Sequence, residues 1–188
     1  MDAIIGRSQV ASGGAYTSVG TYPHEEIIAL VTALSQETGI PGPDLVRTFG
    51  KYLFGRFALA YPRFFQGVDN SFLFLSGIED VIHADVRKLY PDAELPTFEV
   101  NMTPDSLTLT YFSEHPFVDL AQGLIEGCVA YFGEAIDIRR EHLSNLPGAQ
   151  ARFILTSRPP DGAGIDVATA GNAASQRGGP REALTLKG

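Results

Sequence analysis

The stretch IHADVRKLYP, residues 82–91, decides the fold because it closes the most regular amphipathic helix in the chain. Apolar residues recur there at spacings of three and four, which predicts a helix over residues 71–89 with one apolar stripe. The stripe is formed by Leu75, Ile78, Ile82, Val86 and Leu89. A single histidine, His83, lies beside it. A second run with polar side chains, YFSEH at residues 111–115, follows farther along the chain.

Two more helices are predicted before this segment. Pro23 and Gly39 bound the first, since proline favours the first helical position and glycine the position just past the end. Its apolar face comprises Ile27, Ile28, Leu30, Val31 and Leu34. The second is expected from Asp44 to Tyr61.

After the histidine helix the hydrophobic period changes from helical to two. Apolar residues alternate with polar ones on both sides of a turn at residues 103–106, which predicts a β-hairpin. A helix over residues 116–132 follows, and two further strands are expected near Ile136 and Phe153. The predicted class is therefore α+β: several N-terminal helices followed by a small antiparallel sheet with an inserted helix.

Composition divides the chain into a folded part and a tail. Residues 1–157 carry all the aromatic side chains and suffice for one domain with a sizeable core. Residues 158–188 are rich in glycine, alanine and proline, so we expect a disordered tail.

Charge and cysteine content exclude several classes of function. A net charge of −8 and a pI near 4.9 argue against binding to nucleic acid or to an anionic membrane. No apolar run is long enough for a membrane span, and the start lacks the pattern of a secretory signal. Cys128 is the single cysteine and is expected in the core, so no zinc site is predicted. We expect a soluble, cytoplasmic protein.

His83 has two interpretations when its own neighbourhood alone is considered. A lone histidine beside an apolar stripe is more often a satisfied core or rim residue than a ligand. A neutral imidazole on a helix is also a good axial ligand for heme iron, provided that the other ring nitrogen has an acceptor. His24 and His142 stand in polar surroundings, with no partner at ligand spacing in the sequence.

The polar run at residues 111–115 also has two interpretations. Tyr111, Ser113 and His115 alternate along one strand, so their side chains should share a face. Two hydroxyls and a ring N–H converging there could hold carboxylates, although the same pattern also suits an ordinary polar strand end.

Taken together, the two motifs resemble one family. The run His83-x-x-Val86-x-x-x-Tyr90-Pro91 and the later Tyr111-x-Ser113 are similar to the heme-nitric oxide/oxygen-binding, or H-NOX, domains, over about residues 14–155. The resemblance implies a gas sensor and not an enzyme, with His83 ligating the iron of heme b. It also implies that Tyr111, Ser113 and His115 hold the heme propionates.

Two more positions gain a meaning only from the resemblance. Pro96 stands where the family has a proline that presses on the porphyrin. Leu120 stands where oxygen-binding members place a tyrosine, whose hydroxyl stabilises bound oxygen. Leucine has no donor, so the resemblance implies a nitric oxide sensor that discriminates against oxygen.

The resemblance also implies how the signal leaves the domain. Nitric oxide bound to ferrous iron weakens the bond to His83, which releases the helix and lets the porphyrin relax away from Pro96. The signal then passes to a separate protein, by analogy with bacterial members a histidine kinase or a cyclic-di-GMP enzyme.

This chain departs from the family pattern in two places. His115 occupies the position of the family's arginine, and a histidine is a weaker, pH-dependent clamp for carboxylates. The N-terminal helical region is expected to be shorter than in other members, leaving the distal pocket more open. These departures favour an alternative function, that of a heme-free binding or scaffold module with the same fold.

Overall fold

A computed structural model describes residues 2–17, 20–143 and 149–158. The helices, in chain order, are α1 (Asp2–Ser8), α2 (His24–Thr38), α3 (Gly42–Ala60), α4 (Ser71–Ser76), α5 (Ala84–Leu89) and α6 (Val118–Phe132). The strands are β1 (Thr97–Met102), β2 (Ser106–Ser113), β3 (Ile136–His142) and β4 (Ala149–Ser157). A short 3₁₀ helix spans Pro62–Phe65, and a π-helical segment spans Ile78–His83. The predicted tail lies outside the described residues, apart from Arg158.

The four strands form one antiparallel sheet in the order β1-β2-β4-β3. Alternate residues of its two central strands point into the core and are almost fully buried: Leu107, Leu109, Tyr111, Ala151, Phe153 and Leu155. Leu109 pairs with Phe153, and Leu107 with Leu155. The alternation confirms the predicted hairpin and the α+β class, since period two places every second side chain on the helix-covered face.

Helices α3 and α6 approach each other unusually closely. A Cβ atom added at Gly50 would lie 2.6 Å from the backbone oxygen of Leu120. A Cβ at Gly127 would lie 2.7 Å from the Cβ of Phe54. Backbone contact of this kind requires glycine, so the sequence fixes the distance between the two helices at this point.

The predicted helix over residues 71–89 is not continuous. It divides into α4, the π-helical segment and α5, with Gly77 at the first junction. A π-turn carries an additional residue per turn, which rotates the side chains that follow it relative to a regular α-helix. The stripe therefore extends from Leu75 to Val86, and Leu89 is 66% exposed. The burial predicted for Leu89 was wrong.

Most residues of the apolar face predicted for α2 are not buried in the core. Ile27 and Ile28 are exposed, whereas Ala33 and Glu26 are buried. Glu26 accepts hydrogen bonds from the Ser12 backbone and hydroxyl and from the Tyr16 hydroxyl. Its bonds to Ser12 lower the pKa of this carboxyl, against the opposing effect of burial. The helix is therefore tied to the N-terminal segment by a carboxylate as well as by apolar packing.

No helix within the described residues is long and apolar enough to cross a membrane.

Candidate functional site

A cavity of about 440 Å³ lies between the helices and the sheet. Its lining comes from α3, from the segment α4 to α5, from the loop before β1, from the sheet and from α6. Most of these side chains are apolar; the polar ones are His83, Glu94, Tyr111, Ser113 and His115. All six residues that the sequence marked, including Pro96 and Leu120, border this one cavity. Its size and apolar lining are typical of a cofactor or small-molecule site.

The His83 ring is oriented by a carboxylate one turn earlier. Nδ1 of His83 lies 3.1 Å from Oε1 of Glu79, and the side chain is only 12% exposed. An ionised carboxylate can only accept, so Nδ1 is the donor and the neutral ring keeps its lone pair on Nε2. Burial lowers the pKa of His83, although Glu79 acts in the opposite direction. The neutral form is the one that binds metals.

Glu79 also joins the histidine to its surroundings. Its Oε1 accepts from the backbone N–H of Phe98 at 3.1 Å, and its Oε2 accepts from Nη2 of Arg87 at 3.3 Å. The carboxylate thus connects the π-helical segment to strand β1 and to helix α5. Glu79 was not among the predicted site residues, although its position four residues before a histidine is the spacing of neighbours on a helix.

Tyr111, Ser113 and His115 all border the polar edge of the cavity, although the strand on which they were expected to alternate ends at Ser113. Burial raises the pKa of Tyr111, and a hydrogen bond with Ser113 acts in the opposite direction. Oγ of Ser113 accepts from the backbone N–H of His115 at 3.0 Å. His115 lies beyond the end of β2, and its Nε2 is 2.7 Å from Oε2 of Glu94. A polar groove begins here, and Glu94, Leu95, Ser113 and His115 border both spaces.

His24, for which the sequence indicates no partner at ligand spacing, lies beside His115 in the fold. It begins α2, and its ring centroid lies 4.2 Å from that of His115. The two residues are far apart in the chain, so no local spacing could reveal the contact.

Leu120 and Cys128 lie on the same helix but in different surroundings. Leu120 borders the cavity, whereas Cys128 is fully buried in the core. Burial raises the pKa of the Cys128 thiol strongly, so the thiolate required of a metal ligand is disfavoured there.

These residues fit a planar, mostly apolar cofactor with an anionic edge. The apolar walls suit a macrocycle, Nε2 of His83 offers a single nitrogen ligand, and the groups at the polar edge suit carboxylates. Heme has this combination of properties.

The family model described as Haem-NO-binding matches residues 1–140. The chain belongs to the H-NOX family. Members of this family are heme-binding gas-sensor domains rather than enzymes. Among curated proteins, none matches the chain.

Solved H-NOX structures share the fold. The unliganded Fe(II) H-NOX protein from K. algicida is 34% identical, with a TM-score of 0.78 over 84% of this chain and 85% of that one. The H-NOX from Shewanella woodyi, solved in the Fe(II)CO state with IWP-051 bound, is 38% identical, with a TM-score of 0.71 over 87% and 86%. An H-NOX protein from S. oneidensis in the Fe(II)NO state is 27% identical, with a TM-score of 0.70 over 77% and 81%.

Proposed function

We propose that this protein is a nitric oxide sensor whose ferrous heme is ligated by His83. The observation that carries the proposal is the imidazole at the cavity, whose Nδ1 is held by Glu79 so that the lone pair remains on Nε2. Heme b in this position would supply the iron at which nitric oxide binds. The S. oneidensis relative was solved in the Fe(II)NO state, which supports the choice of gas.

Other residues of the cavity would hold and shape the cofactor. Tyr111, Ser113 and His115 stand where the polar edge meets the groove, so we assign the propionates to them. Pro96 borders the same cavity from the loop before β1, where its rigid ring can press on the macrocycle. We assign this sensor domain to residues 1–157.

Leu120 would set the choice between gases. Bound oxygen is polarised and gains from a nearby hydrogen-bond donor, whereas nitric oxide binds ferrous heme tightly without one. A leucine at the cavity supplies no donor. The protein should therefore discriminate against oxygen.

The segment that carries His83 is suited to transmit the signal. Residues 78–89, all of which the structure describes, contain no fully buried side chain, and Ile78 and Ile82 contact the core as partly buried residues only. A change in how His83 holds the cofactor would shift this segment and, with it, the surface formed by α5. We propose that a separate cytoplasmic partner, a histidine kinase or a cyclic-di-GMP enzyme, binds this surface.

A cytoplasmic location is consistent with the single, buried cysteine, which suits a reducing compartment.

The test is the absorption spectrum of the reduced, heme-loaded protein in argon, in air and with nitric oxide. We expect a Soret band that shifts with nitric oxide and is unchanged in air. Leu120→Tyr should give a spectrum that changes in air, because it adds a hydroxyl. Leu120→Phe is the matched control, since it adds the ring without the donor. An oxygen-dependent change in the unaltered protein would contradict the proposed selectivity.

A heme-free module remains a second candidate because of one contact. His115 already pairs with Glu94 at 2.7 Å, so the polar edge is satisfied by the protein's own carboxylate. A folded protein that stays colourless and takes up no added hemin would establish this alternative.

A further inference from the structure

Helix α3 has apolar side chains on two sides, and the protein covers only one of them. Gly50 and Phe54 are buried where α3 packs against α6. On the side that faces solvent, Phe49 is 42% exposed, Tyr52 63% and Leu59 76%. A helix that is apolar on all sides is usually covered on all sides. The exposed apolar side of α3 is therefore a candidate interaction surface.

This exposed side has the residue spacing of a surface that pairs with another helix. Leu45, Phe49, Tyr52, Arg56 and Leu59 follow one another at alternating intervals of four and three residues. Side chains at this spacing form one stripe, which can interlock with the same stripe on a second helix. None of these five residues, all of which the structure describes, lines the cavity. We call them the α3 stripe.

We propose that two copies of this chain pair through the α3 stripe, with the two helices antiparallel. The inference goes beyond the proposed function, because the stripe lies outside the cavity lining and the pairing requires no cofactor. In a two-fold pair each contact occurs twice. When the stripe residues of the two antiparallel helices alternate, Phe49 faces Tyr52 of the partner subunit. The two aromatic layers then lie at the centre of the interface, where such residues contribute most.

Charge favours the antiparallel direction over the parallel one. The same register places Arg56 opposite Leu45 of the partner subunit and next to Asp44 of the partner subunit. Arg56 and Asp44 are both exposed, and neither side chain forms an ion pair with any residue that the structure describes. Antiparallel pairing therefore adds two ion pairs, one at each end of the interface. A parallel pair would instead place both Arg56 side chains in one layer, where like charges repel.

The C-terminal residues of the same chain fit the α3 stripe less well than a second copy does. Residues 159–188 contain no aromatic residue. Their large aliphatic residues, Ile165, Val167, Leu184 and Leu186, form two pairs at intervals of two residues. Such intervals do not match a stripe whose intervals are three and four.

The pairing should be weak but specific. A single pair of helices covers less than the roughly 800 Å² per partner of a standard interface, so we expect a dissociation constant of about 10–100 μM. The dimer would hold two copies of the α5 surface in one particle. A partner protein with two binding sites would then bind the dimer more tightly than the single chain.

The experiment measures sedimentation velocity of the full chain at concentrations from about 1 to 300 μM. We expect a reversible change from monomer to dimer across this range. Tyr52→Ala should raise the dissociation constant about ten-fold, because it removes a ring from each central layer. Tyr90→Ala is the matched control, since Tyr90 is a 52% exposed tyrosine outside α3, and it should leave the dissociation constant unchanged.

Charge reversal tests the register of the two helices. Arg56→Glu places a carboxylate beside Asp44 of the partner subunit and should weaken the dimer about ten-fold. Asp44→Lys should weaken it similarly, by placing two cations together. The double variant, Arg56→Glu with Asp44→Lys, should restore the dissociation constant of the unaltered chain. Circular dichroism melting checks that each variant is folded, because Asp44 lies in the first turn of α3.

Three results would overturn the proposal. An unaltered chain that stays monomeric at every concentration would show that the stripe serves another partner. A double charge variant as weak as the single ones would exclude the antiparallel register. Loss of the dimer in the full chain carrying Ile165→Ser and Val167→Ser would assign the contact to the C-terminal residues. The measurements are made with and without heme, so a failure of the proposed function leaves this test intact.

Discussion

Two parts of the cavity wall differ in how firmly the protein holds them. Helices α3 and α6 meet through glycines at backbone distance, and six residues of α6 are buried. Glu126 of α6 also pairs with Arg47 and Lys51 of α3, at 2.8 and 2.6 Å. The wall that carries His83 is a helix broken by π-turns, with no fully buried side chain among residues 78–89. Polar contacts of Glu79 join it to its neighbours.

The difference shows how one small domain can hold a cofactor firmly on one side of the cavity and change shape on the other. If ligand binding altered the contact between His83 and a cofactor, the wall that carries His83 would shift more readily than α3 and α6, because fewer buried contacts hold it. Close packing on one side keeps the cavity from collapsing, since well-packed interiors resist deformation. Substitutions confined to one wall should therefore separate the two contributions.

The largest effect is expected from closing the space between the fixed helices. Gly50→Ala would place a methyl group 2.6 Å from the Leu120 backbone oxygen and should reduce the free energy of unfolding by about 3 kcal/mol. Gly55→Ala on the same helix is the control, because nothing lies within 4 Å of the added Cβ. It should raise stability by about 0.5–1 kcal/mol through helix propensity. Urea unfolding checks both, and equal effects would refute the close contact.

On the loosely held wall, Glu79→Gln should act on ligation more than on stability. Removing the negative charge makes His83 a weaker donor to iron, so heme affinity should fall about ten-fold. The iron–histidine stretching frequency in resonance Raman spectra should fall as well. Asp80→Asn removes the same charge from an exposed neighbour in the same segment. Identical spectra for these two variants would show that Glu79 does not tune His83.

The smallest effect is expected from Glu126→Gln. Burial alone would raise the pKa of Glu126, but Lys51 and Arg47 outweigh it and hold the pKa below its usual 4.5. A depressed folded pKa stabilises the protein above the unfolded value, and this contribution is lost as the pH falls through the folded pKa. We expect the variant to be about 1 kcal/mol less stable at neutral pH, with the difference shrinking below about pH 4.5. A constant difference down to pH 3 would exclude this ion pair as the cause.

Local patterns predicted those features that depend on neighbours in the chain. Alternation identified the hairpin that carries Tyr111, and helical spacing placed His83 beside an apolar stripe. The break after Gly77 was missed, since no residue type marks a π-turn and a regular helix fits the same pattern. The contact between His24 and His115 was missed because it forms between elements far apart in the sequence.

The exposure of α2 has a related cause. Its apolar residues fit a helical face, but the face that packs is chosen by its tertiary partners. Glu26 is buried because Ser12 and Tyr16 satisfy its carboxylate, a condition that the helical pattern alone does not contain. Ile27 and Ile28 remain exposed on the other side.

The most direct test of the account is the absorption spectrum of the reduced, heme-loaded protein with His83→Gly, with and without added imidazole. We predict that the variant loses the spectrum of histidine-ligated heme and regains it when imidazole fills the space left by the side chain. A variant that keeps the unaltered spectrum without imidazole would contradict the assignment of His83 as the iron ligand.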